Sequence, residues 1–117
     1  MFGFMMGGAK MDPREAVAKA RAGDITVIDV RDHGEVQMTG KAKGAIVVPL
    51  TVMPFQCDPK GPDFNAHLDP AKPVALYCAS GARSAQGAQV LKRLGYAEVY
   101  NIGGLDHWHR AGGEIER

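Results

Sequence analysis

The segment CASGARS, residues 78–84, places a thiol where a short apolar run stops and an arginine and a serine where a helical pattern begins. Between Cys78 and Ser84 lie Ala79, Ser80, Gly81, Ala82 and Arg83. Gly81 permits a positive φ in mid-loop. Its small neighbours let the backbone curl tightly with N–H groups pointing inward, a cradle that binds anions. A helix starting near Arg83 adds the positive end of its dipole. A cysteine held there titrates below the free value of about 8.5 and is a thiolate, hence a nucleophile, at neutral pH. Arg83 is the fixed cation of the loop and is placed to meet an anionic substrate. A cysteine at a strand end is on its own as often a small buried hydrophobe. A plain strand-to-helix turn, however, needs only a few residues and neither a thiol at its entrance nor a cation at its exit.

Such a loop needs a strand before it and a helix after it, and the pattern supplies both. VALYC, residues 74–78, reads as a strand, and RSAQGAQVLKRLG as a helix stopped by Gly95. Upstream, ITVIDV (25–30) and AIVVPL (45–50) read as strands, the second stopped by Pro49. A first helix starts at Asp12, with Pro13 at its first position, Glu15 completing a capping box and Gly23 ending it. A short helical stretch covers Asp32 to about Met38. EVYNI (98–102) is a fourth strand, and a last short helix carries Leu105 and Trp108. From Met53 to Pro73 five prolines predict mostly loop, which at that length is usually functional or mobile. The alternation predicts an α/β fold: a small parallel sheet flanked by helices on both faces, with ligands at the carboxyl ends of strands. Cys78 falls at one of those ends.

The chain has 117 residues, enough for one core, expected as a flexible tail over 1–11 and a single domain over 12–117. A formal net charge of +1 with dispersed lysines and arginines gives no nucleic-acid or membrane surface. No run is long enough to span a bilayer, and the apolar start MFGFMMGGAK lacks the parts of a secretory signal. Two cysteines make no disulfide framework and fit a reducing compartment, so a cytoplasmic protein is expected.

These residues resemble the rhodanese-domain sulfurtransferases. CASGARS is similar to their active-site loop, and VIDVRDHGE to the strand carrying their Asp-Val-Arg motif, here Asp29, Val30 and Arg31. GKAKGAIVVPL resembles a further segment, and LKRLGYAEVYNIGGLDHWHRAGGEIE resembles the C-terminal signature. The match runs in order over roughly residues 12–116. The resemblance implies that Cys78 takes a sulfane sulfur from thiosulfate or a similar small anionic donor. It carries the sulfur as a persulfide and passes it to cyanide or a thiol, with Ala79, Ser80, Gly81, Ala82, Arg83 and Ser84 binding the anion. No metal or organic cofactor is implied. A persulfide-relay module serving protein donors or acceptors, and a noncatalytic interaction domain on the same fold, are the competing readings. Cysteine phosphatases and arsenate reductases place their arginine six positions after the cysteine; here Arg83 is five positions on. The sequence departs from the family at Lys41 and Ala42, where histidine and isoleucine are usual, and at Ala79, where thiosulfate-specific members carry a second basic residue.

Other residues receive structural readings. Asp29 and Arg31 are expected to fix neighbouring loops, and Trp108 to anchor the core. His107 and His109 point to different sides of a helix, and His33 and His67 have no ligand-spaced partners, so no metal site is expected. Cys57 is expected as an exposed loop thiol without a role, a resolving thiol being the alternative. Phe55 and Phe64 either wall a pocket or pin the proline-rich loop to the core.

Overall fold

Residues 9–117 are described in the computed structural model of the chain. Seven strands and five α-helices follow one another: β1 (Ala9–Lys10), α1 (Pro13–Arg21), β2 (Thr26–Asp29), α2 (His33–Thr39), β3 (Lys41–Ala42), β4 (Ile46–Val47), α3 (Met53–Gln56), β5 (Val74–Cys78), α4 (Ala82–Arg93), β6 (Val99–Gly104), α5 (Leu105–Arg110) and β7 (Ile115–Glu116). Five of the strands form a sheet in the order β1-β6-β5-β2-β4, every pairing parallel. β3 and β7 make a separate antiparallel pair. No helix among the described residues is long and apolar enough to cross a membrane.

The sheet is covered on both faces, which is why its middle strand, β5, is buried along its whole length rather than alternating with exposed polar residues. Alternation instead divides β5 between two cores. Val74, Leu76 and Cys78 join Ile28, Val30, Met53, Ala88 and Leu91 on the α3–α4 side. Ala75 and Tyr77 join Ala16, Val17, Val27, Ile102 and Trp108 on the α1–α5 side. Cys78 is therefore the last member of a core-facing row on the middle strand, at its carboxyl end. Trp108 is a core anchor, as expected, and its indole N–H donates to the Glu114 carbonyl.

The helix starts follow the sequence, with one change. The Asp12 carboxylate accepts the Arg14 N–H at 2.9 Å, and Pro13 takes the first turn of α1. Glu15 does not complete a box with it but lies 3.6 Å from Lys19, one turn on. The box forms at α2 instead, where Glu35 accepts the Asp32 N–H at 3.2 Å.

Three further readings need correction. The expected strand over 45–50 is only Ile46–Val47, and a 3-10 turn occupies Leu50–Val52. The proline-rich region is not loop from Met53 onward: α3 begins there, because Pro54 sits in its first turn, where no backbone N–H is needed. The sheet also has a strand more than the four expected. Ala9–Lys10 pairs with Tyr100–Asn101, and Met11 is buried. Residues 1–8 of the expected tail lie outside the described residues.

Candidate active site

β5 delivers Cys78 to the base of the loop, and α4 opens directly above it. Gly81, the residue before the helix, has φ +106°, a left-handed conformation that a side chain would strain. That turn aims its own amide back at the thiol: the Gly81 N–H donates to Cys78 Sγ at 2.9 Å. Ser84 Oγ lies 3.5 Å from the same sulfur. Burial pushes the Cys78 thiol up, but the Ser84 hydroxyl and the N–H groups of Ser84, Ser80 and Gly81 together outweigh it. The net result is a pKa below the ordinary cysteine value. Cys78 is 1% exposed, so the sulfur lies on the floor of the cradle, and a reactant must descend to it.

β6 holds the loop from the side. A Cβ on Gly104 would run into the Ala79 carbonyl, so only glycine lets the loop rest there. The Asn101 amide is fixed at both ends, its Nδ2 donating to the Gly81 carbonyl at 3.1 Å and its Oδ1 accepting the Gly103 N–H at 3.0 Å. The same Oδ1 is 2.8 Å from Ser84 Oγ. Ser84 has one proton and three acceptors in reach: Asn101 Oδ1, the Gly81 carbonyl at 3.1 Å and Cys78 Sγ. The hydroxyl can thus accept from a thiol and turn to donate to a thiolate. Ser84→Ala is expected to move the midpoint of Cys78 alkylation to higher pH. It should slow alkylation at pH 7 by roughly three- to tenfold, as loss of one hydrogen bond to a charged sulfur would. An unchanged midpoint would remove the Ser84 hydroxyl from the cradle.

Arg83, the fixed cation of the loop, is paired with a carboxylate. Its Nη1 and Nη2 donate to the two carboxylate oxygens of Glu35 at 2.7 and 2.9 Å. The Arg83 hydrogen bonds, and then the Asp32 N–H, hold the Glu35 carboxyl down to about 2. The Arg83 pKa is raised, first by Glu35 and to a lesser degree by the nearby Cys78 and Asp32. Ala79 and Ala82 complete the loop with backbone alone. Glu35, Asn101 and Gly104 were not singled out from the sequence. Glu35 lay inside the VIDVRDHGE segment, and Gly104 inside the Gly-Gly of the C-terminal one, but nothing local tied either to the thiol.

The second cysteine is elsewhere in character. Cys57 is not exposed but 0% accessible, at the end of α3 in the same core as Met53 and Leu68. Burial pushes its thiol up to about 12, the Tyr96 contact opposing this only in part. Phe64 packs against that core, whereas Phe55 is 61% exposed and pins nothing. His107 is exposed, and its Nδ1 accepts the Gly104 N–H at 2.9 Å. No three His, Cys, Asp or Glu side chains gather as metal ligands among the described residues.

Comparison with known proteins matches this arrangement. The model of the rhodanese-like domain covers residues 12–111. A protein described as a sulfurtransferase from Allochromatium vinosum is 33% identical over 90 residues, spanning 76% of each chain. A tRNA uridine(34) hydroxylase from Rickettsia bellii is 36% identical over 81 residues, 69% of this chain but only 32% of that protein. A solved structure from Rhodopseudomonas palustris, described as a protein of unknown function and possible tyrosine phosphatase, superposes with a TM-score of 0.82. It is 32% identical, over 93% of this chain and 85% of that one.

Proposed function

The chain belongs to the rhodanese-like domain family, and from that premise we propose that it is a sulfurtransferase working through a persulfide on Cys78. The observation that carries the reading is the short Gly81 N–H to Cys78 Sγ hydrogen bond, in a loop whose amides together lower the pKa of the thiol. A thiolate on the cradle floor attacks the outer sulfur of thiosulfate or a similar donor. The S–S bond of the donor breaks and sulfite leaves with its electron pair. The amides of Ser80, Gly81 and Ser84 hold the charge throughout, already oriented before reaction. The persulfide extends the chain by one S–S bond of about 2 Å, lifting the transferable sulfur off the floor toward the acceptor. Cyanide or a thiol then takes it and restores the thiolate. No metal or organic cofactor enters this scheme. It suits a reducing compartment such as the cytoplasm, where a free thiol persists.

Phosphate-ester hydrolysis is the weaker reading, despite the description given to the Rhodopseudomonas palustris structure. The arginine comes one position early and is held by Glu35, so the loop offers no free guanidinium to a phosphoryl group. The hydroxylase relatives are much longer than this chain, and a nucleophilic thiolate is equipment for sulfur transfer.

Intact-mass measurement tests the proposal and its relay alternative together. Incubation with thiosulfate is expected to add one sulfur atom to Cys78, and cyanide to remove it as thiocyanate. Loading only from a persulfidated protein would make the chain a relay module. No loading from thiosulfate, a small organic persulfide or a persulfidated protein would end the sulfurtransferase reading.

A further inference from the structure

The charges at the mouth of the cradle bear on which donor it takes. Glu35 stands in the first turn of α2 and Arg83 in the first turn of α4, so two separate helix starts converge on one ion pair. The pair is bidentate, and the two side chains are 37% and 34% exposed, half-sheltered rather than waving in solvent. Glu35 is further anchored by the Asp32 N–H. A fixed, two-pronged partner of this kind takes the Nη1/Nη2 edge of the guanidinium and offsets its charge, so a dianion would have to compete with Glu35 for it. Asp32, the residue that caps α2, adds a second carboxylate at the same helix start. Once Cys78 is ionised, these four groups carry three negative charges and one positive. Lys10 and His107 line a cavity that also touches Ser80, Gly81 and Gly103. Among the described residues the walls of that cavity include neither Cys78 nor Arg83.

We infer that Glu35 is a specificity-determining residue: by occupying Arg83 it selects against dianionic donors such as thiosulfate and favours an organic persulfide, R–S–SH. This rests on the sulfurtransferase reading above and narrows its donor. The step balances without an added oxidant or reductant. The Cys78 thiolate forms a bond to the outer sulfur of R–S–SH, the donor S–S bond breaks, and its electron pair leaves with RS⁻. The proton stays on the transferred sulfur, giving Cys78–S–SH. The incoming donor is neutral or singly charged, and its leaving thiolate requires no guanidinium of its own.

The experiment compares thiosulfate with glutathione persulfide as donors for the wild-type chain and for Glu35→Gln. Glutamine keeps an oxygen for the Asp32 N–H and so preserves the start of α2, which a thermal melt checks. The wild-type chain is expected to favour the persulfide. The variant should shift selectivity toward thiosulfate by roughly two- to fivefold, the size expected for releasing one well-formed surface ion pair. The shift should appear in the thiosulfate KM rather than in kcat, and should vanish when Arg83→Ala is added. If the wild-type chain is loaded but Glu35→Gln changes neither KM, or both equally, Glu35 loses the role while the sulfurtransferase reading stands. If neither donor places sulfur on Cys78, both fall together.

Discussion

Replacing Cys78 by serine is expected to reduce thiocyanate formation from thiosulfate and cyanide by at least about a thousandfold, the scale on which loss of a covalent nucleophile is felt. The cradle stabilises negative charge on residue 78, but an alcohol stays protonated where a thiol already below its ordinary pKa ionises. Serine also cannot carry a sulfane sulfur, so no alternative route through the same position remains. The variant should fold: the side chain is slightly smaller, and its oxygen still meets the Gly81 N–H and the Ser84 hydroxyl. Cys57→Ser supplies the contrast. That thiol is buried and pushed up to about 12, so almost none is ionised at neutral pH, and transfer should stay within about twofold of wild type. Equal losses in both variants would show that the measured activity does not belong to Cys78.

The loop was legible because its logic is local. A strand, a glycine that must turn left-handed and a helix start fall within a few consecutive residues, and each has its own residue signature. The neighbours that complete the site come from afar in the chain. Glu35 meets Arg83 from 48 positions away, and Asn101 meets Ser84 from 17. No periodicity encodes such meetings; they follow only once β6, β5 and β2 lie side by side. The shortest strands were missed for a different reason. β1, β3 and β7 are two residues each, too short to show any alternation. α3 was hidden by its own proline, which reads as a breaker unless it is recognised as occupying a first turn. Cys57 was misplaced with it, since a residue at the end of a packed helix is buried whereas the same residue in an open loop is not.

The second large effect concerns stability and reaches the site indirectly. Arg31→Leu is expected to cost about 3–5 kcal/mol, because it strands a buried carboxylate. Asp29 is 0% and Arg31 3% exposed. Arg31 donates from Nε to Asp29 Oδ1 at 3.0 Å and from Nη2 to Oδ2 at 2.8 Å. Tyr77 O–H donates to the same carboxylate at 2.5 Å and accepts the Ala42 N–H at 2.9 Å. Burial, then Asp29, raises the Tyr77 pKa, so the phenol keeps its proton and remains a donor. Arg31 also reaches Thr39 Oγ1 and the Gly40 carbonyl, both at 2.8 Å, and so pins the end of α2. A thermal melt should fall by roughly 10–20 °C for a domain of this size. Tyr77→Phe should cost less, about 1–3 kcal/mol, since it leaves the Ala42 N–H without its partner while the ion pair survives. Asp29→Leu combined with Arg31→Leu should recover part of the loss, because removing both charges leaves none buried alone. A single Arg31→Leu variant that melts within a few degrees of wild type would show that this network is not what fixes α2. It would then not be what holds Glu35 in position against Arg83.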